Sequence, residues 1–92
     1  GETGELQLLQ NKPNPFENTT RIEFYLPNPS NVRLTLSNLL GDFKIELFHG
    51  NLTQGLHSFE VSSEKLNLSS GVYVYTLDAG GKKISRQMIL NK

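Results

Sequence analysis

The side chains that could do chemistry are few and scattered. The histidines are His49 and His57, and neither has a cysteine, or a second histidine three or four residues away, to complete a metal-ligand set. His57 shares strand parity with Phe59 and Val61, which makes it a packed or hydrogen-bonded strand residue. Serines are plentiful, but none sits in a Gly-x-Ser-x-Gly elbow, and serines in the loops of β domains commonly form turns. Gly80-Gly81 joins two apolar runs instead of opening a helix, so it reads as a hairpin turn and not a phosphate cradle. Sequons begin at Asn18, Asn51 and Asn67 in a chain rich in Asn, Ser and Thr, where such triplets arise by chance. With no convergent nucleophile, base or ligand set, the expectation is no catalysis, no cofactor and no metal.

The bulk properties narrow the field further. A chain of 92 residues is one domain, able to bury a core but with a thin stability margin. Basic and acidic residues balance at 9 each, without the basic excess expected of a nucleic-acid binder. No run is long or apolar enough to span a bilayer. Cysteine is absent, so stability must come from the core alone in any compartment. The lone methionine is Met88, and the chain reads as a processed product or a piece of something longer. Residues 1–7, opening Gly1-Glu2-Thr3-Gly4, read as a linker or an appended remnant, and residues 8–92 as the domain proper. The charge balance hides an asymmetry: no acidic residue follows Asp78, while Lys82, Lys83, Arg86 and Lys92 do. These cations suit a solvated strand face, and also a basic edge presented to an acidic partner.

Alternation, not helical periodicity, organises the chain. Ile22, Phe24 and Leu26 alternate with Arg21, Glu23 and Tyr25; Val32, Leu34 and Leu36 with Arg33, Thr35 and Ser37; Phe43, Ile45 and Leu47 with Lys44, Glu46 and Phe48. Each run is expected to be a strand with one face inward. Turn signals fall at Pro27–Asn31, at Leu39–Asp42 with Gly41 free to take positive φ, and between Gly50-Asn51 and Gly55. Further strands are expected over 56–61, 72–78 and 83–90, with a short leading strand at 6–9 and a crossing loop over 62–70 holding one helical turn near Glu64-Lys65-Leu66. About seven short strands with regular turns predict an all-β, antiparallel, immunoglobulin-like sandwich. Gly71-Val72-Tyr73-Val74-Tyr75 has the spacing of a tyrosine corner, in which the Tyr73 hydroxyl bonds to backbone a few residues upstream. Pro13 and Pro15 remove two donors, so Lys12-Pro13-Asn14-Pro15-Phe16 cannot lie inside a sheet; Phe16 is expected to plug one end of the sandwich.

The ordered set of segments resembles the type A C-terminal sorting domain of the type IX (Por) secretion system. The resemblance is carried by Gln10-Asn11-Lys12-Pro13-Asn14-Pro15-Phe16 with Thr19 and Thr20, by Leu40-Gly41, by Gly55-Leu56-His57, by Leu68-Ser69-Ser70-Gly71-Val72-Tyr73, and by the basic-apolar ending through Lys92. One departure is Gln87, where the family commonly has lysine before the last apolar triplet; Arg86 and Lys92 keep the ending basic. The resemblance implies a sorting signal for an upstream cargo domain in the same polypeptide. It implies passage through the periplasm, recognition by the outer-membrane translocon, and release or cell-surface attachment by a sortase-like peptidase. The sorting-signal residues it implies are Gly71, Tyr73, Arg86, Gln87, Met88, Ile89, Leu90 and Lys92. Pro13, Asn14, Pro15, Phe16, Gly41 and Gly55 are the structural counterparts. A partner could read the final strand by main-chain pairing and side-chain pockets, and its cations would discourage indiscriminate edge pairing.

Two other readings compete. A structural or adhesive spacer module would share the sandwich. A carbohydrate-binding module would need a platform of coplanar aromatics, whereas Tyr25, Tyr73 and Tyr75 are dispersed and tryptophan is absent.

Overall fold

The computed structural model describes residues 4–92. Among the described residues seven strands form: β1 (Gln7–Leu8), β2 (Thr19–Leu26), β3 (Ser30–Asn38), β4 (Lys44–Leu52), β5 (Gly55–Ser62), β6 (Gly71–Ala79) and β7 (Lys82–Leu90). All named strand pairings are antiparallel, in a three-stranded sheet of order β1-β2-β5 and a four-stranded sheet of order β4-β3-β6-β7. The two sheets enclose one core, as the alternation predicts.

The core comes from the inward parity of the central strands. Ile22, Phe24 and Leu26 of β2 bury against Val32, Leu34 and Leu36 of β3 and Tyr75 and Leu77 of β6. Each fully buried aliphatic or aromatic side chain contributes about 1.5–3 kcal/mol of transfer free energy, so these rows dominate the stability. The edge strands β4 and β5 contribute less. No residue of β4 is fully buried, and of β5 only Val61 is.

Turn chemistry follows the glycines where positive φ is required. Ala79 pairs with Lys82, and Gly80 (φ 57°) and Gly81 (φ 81°) both sit in the left-handed region, the signature of a two-residue type I′ hairpin. Gly41 (φ 78°) closes the β3–β4 turn, where its amide donates to the Asn38 side-chain oxygen. The crossing loop contains the expected helical turn, with Leu66 N–H donating to Ser62 C=O. It ends in a helix-stop motif: Asn67 takes φ 55°, Asn67 N–H bonds Glu64 C=O, and Leu68 N–H bonds Ser63 C=O. Leu68 then buries in the core.

One local expectation is corrected. Phe48 does not share the outer face with Lys44 and Glu46. The β3–β4 register shifts between Leu34, which pairs with Phe48, and Thr35, which pairs with Glu46. Leu47 is the extra residue of a β-bulge, and the bulge turns Phe48 toward the core. Gly50-Asn51 lies near the end of β4, and the connection to β5 falls between it and Gly55, as expected. A Cβ on Gly50 would lie 3.2 Å from the Phe48 ring, so the glycine makes room for that ring within the strand. The leading strand expected at 6–9 is present as β1, with Leu6 packed on the core and Gln7 paired with Tyr25. Residues 1–3 of the expected linker lie outside the described residues.

Candidate functional site

The expected sorting residues converge at one end of the four-stranded sheet. On β6 and β7, Gly71 pairs with Leu90, Tyr73 with Met88 and Tyr75 with Arg86. Met88 and Leu90 point inward and are fully buried, whereas Ile89 remains 42% exposed on the outer face beside Val72. Arg86, Gln87 and Lys92 are exposed. Tyr73 makes the bond expected of a tyrosine corner: its hydroxyl donates to the Ser69 carbonyl at 2.6 Å. The Phe43 ring meets the Tyr73 ring edge-on, with centroids 6.1 Å apart. Gly41 lies in the turn just before Phe43, whereas Gly55 lies at the opposite end of the sandwich, where it pairs with Leu26.

The segment Lys12–Phe16 runs beside this patch. The prolines stay out of any ladder, and the residues flanking them pair instead. Lys12 bridges Arg21 of β2, and Phe16 bridges Leu90 of β7 in parallel sense. Phe16 is buried at the sandwich end, as its apolar character predicts. Its N–H donates to Ile89 C=O at 3.0 Å, and its carbonyl accepts from Asn91 N–H at 2.8 Å. Asn14 completes the contact by accepting from Ile89 N–H through its side-chain oxygen at 2.9 Å.

A buried polar cluster anchors the start of this arm. The Tyr75 hydroxyl accepts from Asn11 N–H at 2.9 Å and donates to Leu9 C=O at 2.8 Å. The Asn11 side-chain nitrogen donates to Thr20 Oγ1, and the Thr20 hydroxyl donates to Pro13 C=O. Asn11, Thr20 and Tyr75 are all buried, and among the described residues no buried side-chain polar atom lacks a partner. Burial pushes the Tyr75 hydroxyl above its ordinary pKa, opposed by the Asn11 N–H and by the Arg86 charge. Arg86 itself donates through Nε to Leu8 C=O, and Gln10 donates to Gln87 C=O at 2.7 Å. The cation of Arg86 therefore joins β7 to β1 across the sandwich.

Sequence reasoning assigned no role to Asn11, Thr20 or Tyr75 in this cluster. A signal existed: Thr20 has the inward parity of Ile22, Phe24 and Leu26, so its hydroxyl had to find a buried partner.

Among the described residues, no group of three or more His, Cys, Asp or Glu could hold a metal ion. His57 is a strand residue: its Nε2 lies 2.7 Å from the Thr53 carbonyl oxygen and its ring 5.7 Å from that of Phe24. No helix is long and apolar enough to cross a membrane among the described residues.

The family of secretion system C-terminal sorting domains matches residues 13–91, from the first proline of the arm to the end of the terminal strand. The chain belongs to that family. It is a sorting signal for type IX secretion, which implies export, either secreted or to the cell surface, of a cargo fused upstream. Membership in a sorting-signal family points to a non-catalytic role. No curated protein and no solved structure matches the chain.

Proposed function

We propose that this sorting domain is of type A and directs its cargo from the periplasm through the type IX outer-membrane translocon. A sortase-like peptidase then acts on the exported protein for release or surface attachment. The domain is a substrate of that machinery and performs no catalysis itself. The residues proposed to be read are Gly71, Tyr73, Arg86, Gln87, Met88, Ile89, Leu90 and Lys92.

The observation that carries this reading is the family match across both the Pro-Asn-Pro-Phe arm and the basic-apolar end of β7. The roles within the set divide by exposure. Met88 and Leu90 are buried and support the patch from beneath, whereas Ile89, Gln87 and Lys92 are accessible to a partner. An acidic, partly apolar partner surface suits the accessible group, because no acidic residue follows Asp78.

The test is export of a reporter fused ahead of the domain, in a bacterium with a working type IX system. Deleting Met88–Lys92 should abolish export. That deletion also removes two core side chains and the partner of Phe16, so its effect on folding is expected to be large. The sharper variant is Ile89→Thr combined with Lys92→Ala, which leaves the buried face intact. Reduced export with unchanged protease resistance supports the reading; normal export of both variants rejects it.

A further inference from the structure

β7 is an edge strand whose edge is already occupied where the sorting residues lie. The main-chain groups of β7 that face away from β6 belong to alternate residues, Lys83, Ser85, Gln87, Ile89 and Asn91. Gln87 C=O is taken by the Gln10 side chain, Ile89 C=O by Phe16 N–H, Ile89 N–H by Asn14, and Asn91 N–H bonds Phe16 C=O. Strand addition here would have to break four hydrogen bonds and lift the buried Phe16 from the core. Such addition draws its affinity from main-chain bonds, and four of the six outward main-chain groups of Gln87, Ile89 and Asn91 are already taken. The outward-facing rungs of Lys83 and Ser85 lie nearer the hairpin, away from that end.

We propose that the export partner docks on the closed edge as one composite surface. It is made by Lys12, Pro13 and Pro15 of the arm together with Ile89 and Lys92, and no strand is added along residues 87–91. This rests on the sorting reading above and specifies how that signal is presented. All five residues are exposed, and the Phe16–Leu90 register brings Pro15 beside Ile89. The partner that fits has an apolar contact for the prolines and Ile89, with acidic groups for Lys12 and Lys92. The signal is thus conformational: residues from both ends of the domain meet only after folding.

A cross-link distinguishes a closed edge from an opened one. Glu17 and Asn91 are exposed and lie one step beyond the Phe16–Leu90 bridge. The chain has no native cysteine, so Glu17→Cys with Asn91→Cys has only one pairing available. Lock formation is checked on the purified domain by its mobility on a non-reducing gel, and the oxidised fusion is then scored for export. Export of the locked fusion should stay within about twofold of the parent, since the bound form is the closed one. The charge-reversed pair Lys12→Glu and Lys92→Glu should lower export by about tenfold or more, with protease resistance unchanged. A comparable loss on locking, restored in the single-cysteine variants, would show that the edge must open and would overturn the proposal. Normal export of the charge-reversed pair would overturn it as well. If the unmodified fusion itself is not exported, the sorting reading fails, and this proposal fails with it.

Discussion

The two open sides of the sandwich are treated in opposite ways. On one side β1 faces β7, and the gap is closed by the Arg86–Leu8 and Gln10–Gln87 hydrogen bonds, the Tyr75–Asn11–Thr20 cluster and the Phe16 plug. On the other side β4 faces β5, and among the described residues no comparable hydrogen-bonded segment covers the gap. There Phe48 and Phe59 meet with ring centroids 4.9 Å apart, and Leu47, Leu66 and Lys65 line a shallow groove with Glu46, Glu60 and Ser62. Closing one side takes a dedicated arm that supplies both apolar and hydrogen-bonding groups. On the other, a single bulge re-aims one aromatic ring, and the apolar residues around it remain only half buried. The side that carries the proposed signal is the one whose edge is protected from unwanted pairing.

The largest test of this difference is Phe16→Ala. Removing a fully buried aromatic should cost about 3–5 kcal/mol, measured by urea unfolding. It should also release the arm, seen as faster hydrogen exchange at the Ile89 and Asn91 amides. An unchanged Ile89 amide would show that Asn14 holds the edge without Phe16.

Tyr75→Phe comes next. It leaves Asn11 N–H and Leu9 C=O without their buried partner, at a cost of about 1–3 kcal/mol. It also changes the alkaline limb. The Tyr75 pKa is raised in the folded protein, so the folded state holds its proton more tightly than the unfolded one. That contribution to stability is complete below the ordinary tyrosine value of about 10 and is lost as pH rises through the raised folded value. Urea midpoints of the parent should fall more steeply above that pH than those of Tyr75→Phe. Parallel curves would break the assignment.

On the open side, Phe48→Ala should cost less than Phe16→Ala, about 1–2 kcal/mol, because its ring is only half buried. A loss as large as that at Phe16 would erase the distinction between the two sides. The smallest effect is expected for Asn14→Ala, which removes one exposed hydrogen bond worth about 1 kcal/mol. Its signature is local: faster exchange at the Ile89 amide with little change in the global midpoint.

Much of this was readable from short stretches of chain. The inward faces of β2 and β3 follow from alternation, because side-chain direction in a strand has a period of two and burial enforces it. The Gly80-Gly81 hairpin and the Tyr73–Ser69 bond are equally local, spanning only a few residues. The same reasoning placed Phe48 on the wrong face. A bulge inserts one residue into the count, and nothing in the alternating pattern of 43–48 shows where β3 will pair across it.

The sequence by itself determined the strands, most of their buried faces, the tight turns and the motifs that mark the family. Only the tertiary structure decided that the arm closes the edge of β7, that Tyr75 holds Asn11 at a separation of 64 residues, and that Arg86 bonds to Leu8 at a separation of 78. The physical reason is the range of the forces. Periodicity and turn preference act between near neighbours. Which distant backbone group satisfies a buried hydroxyl or an exposed strand edge depends on where the completed sheets bring the chain together.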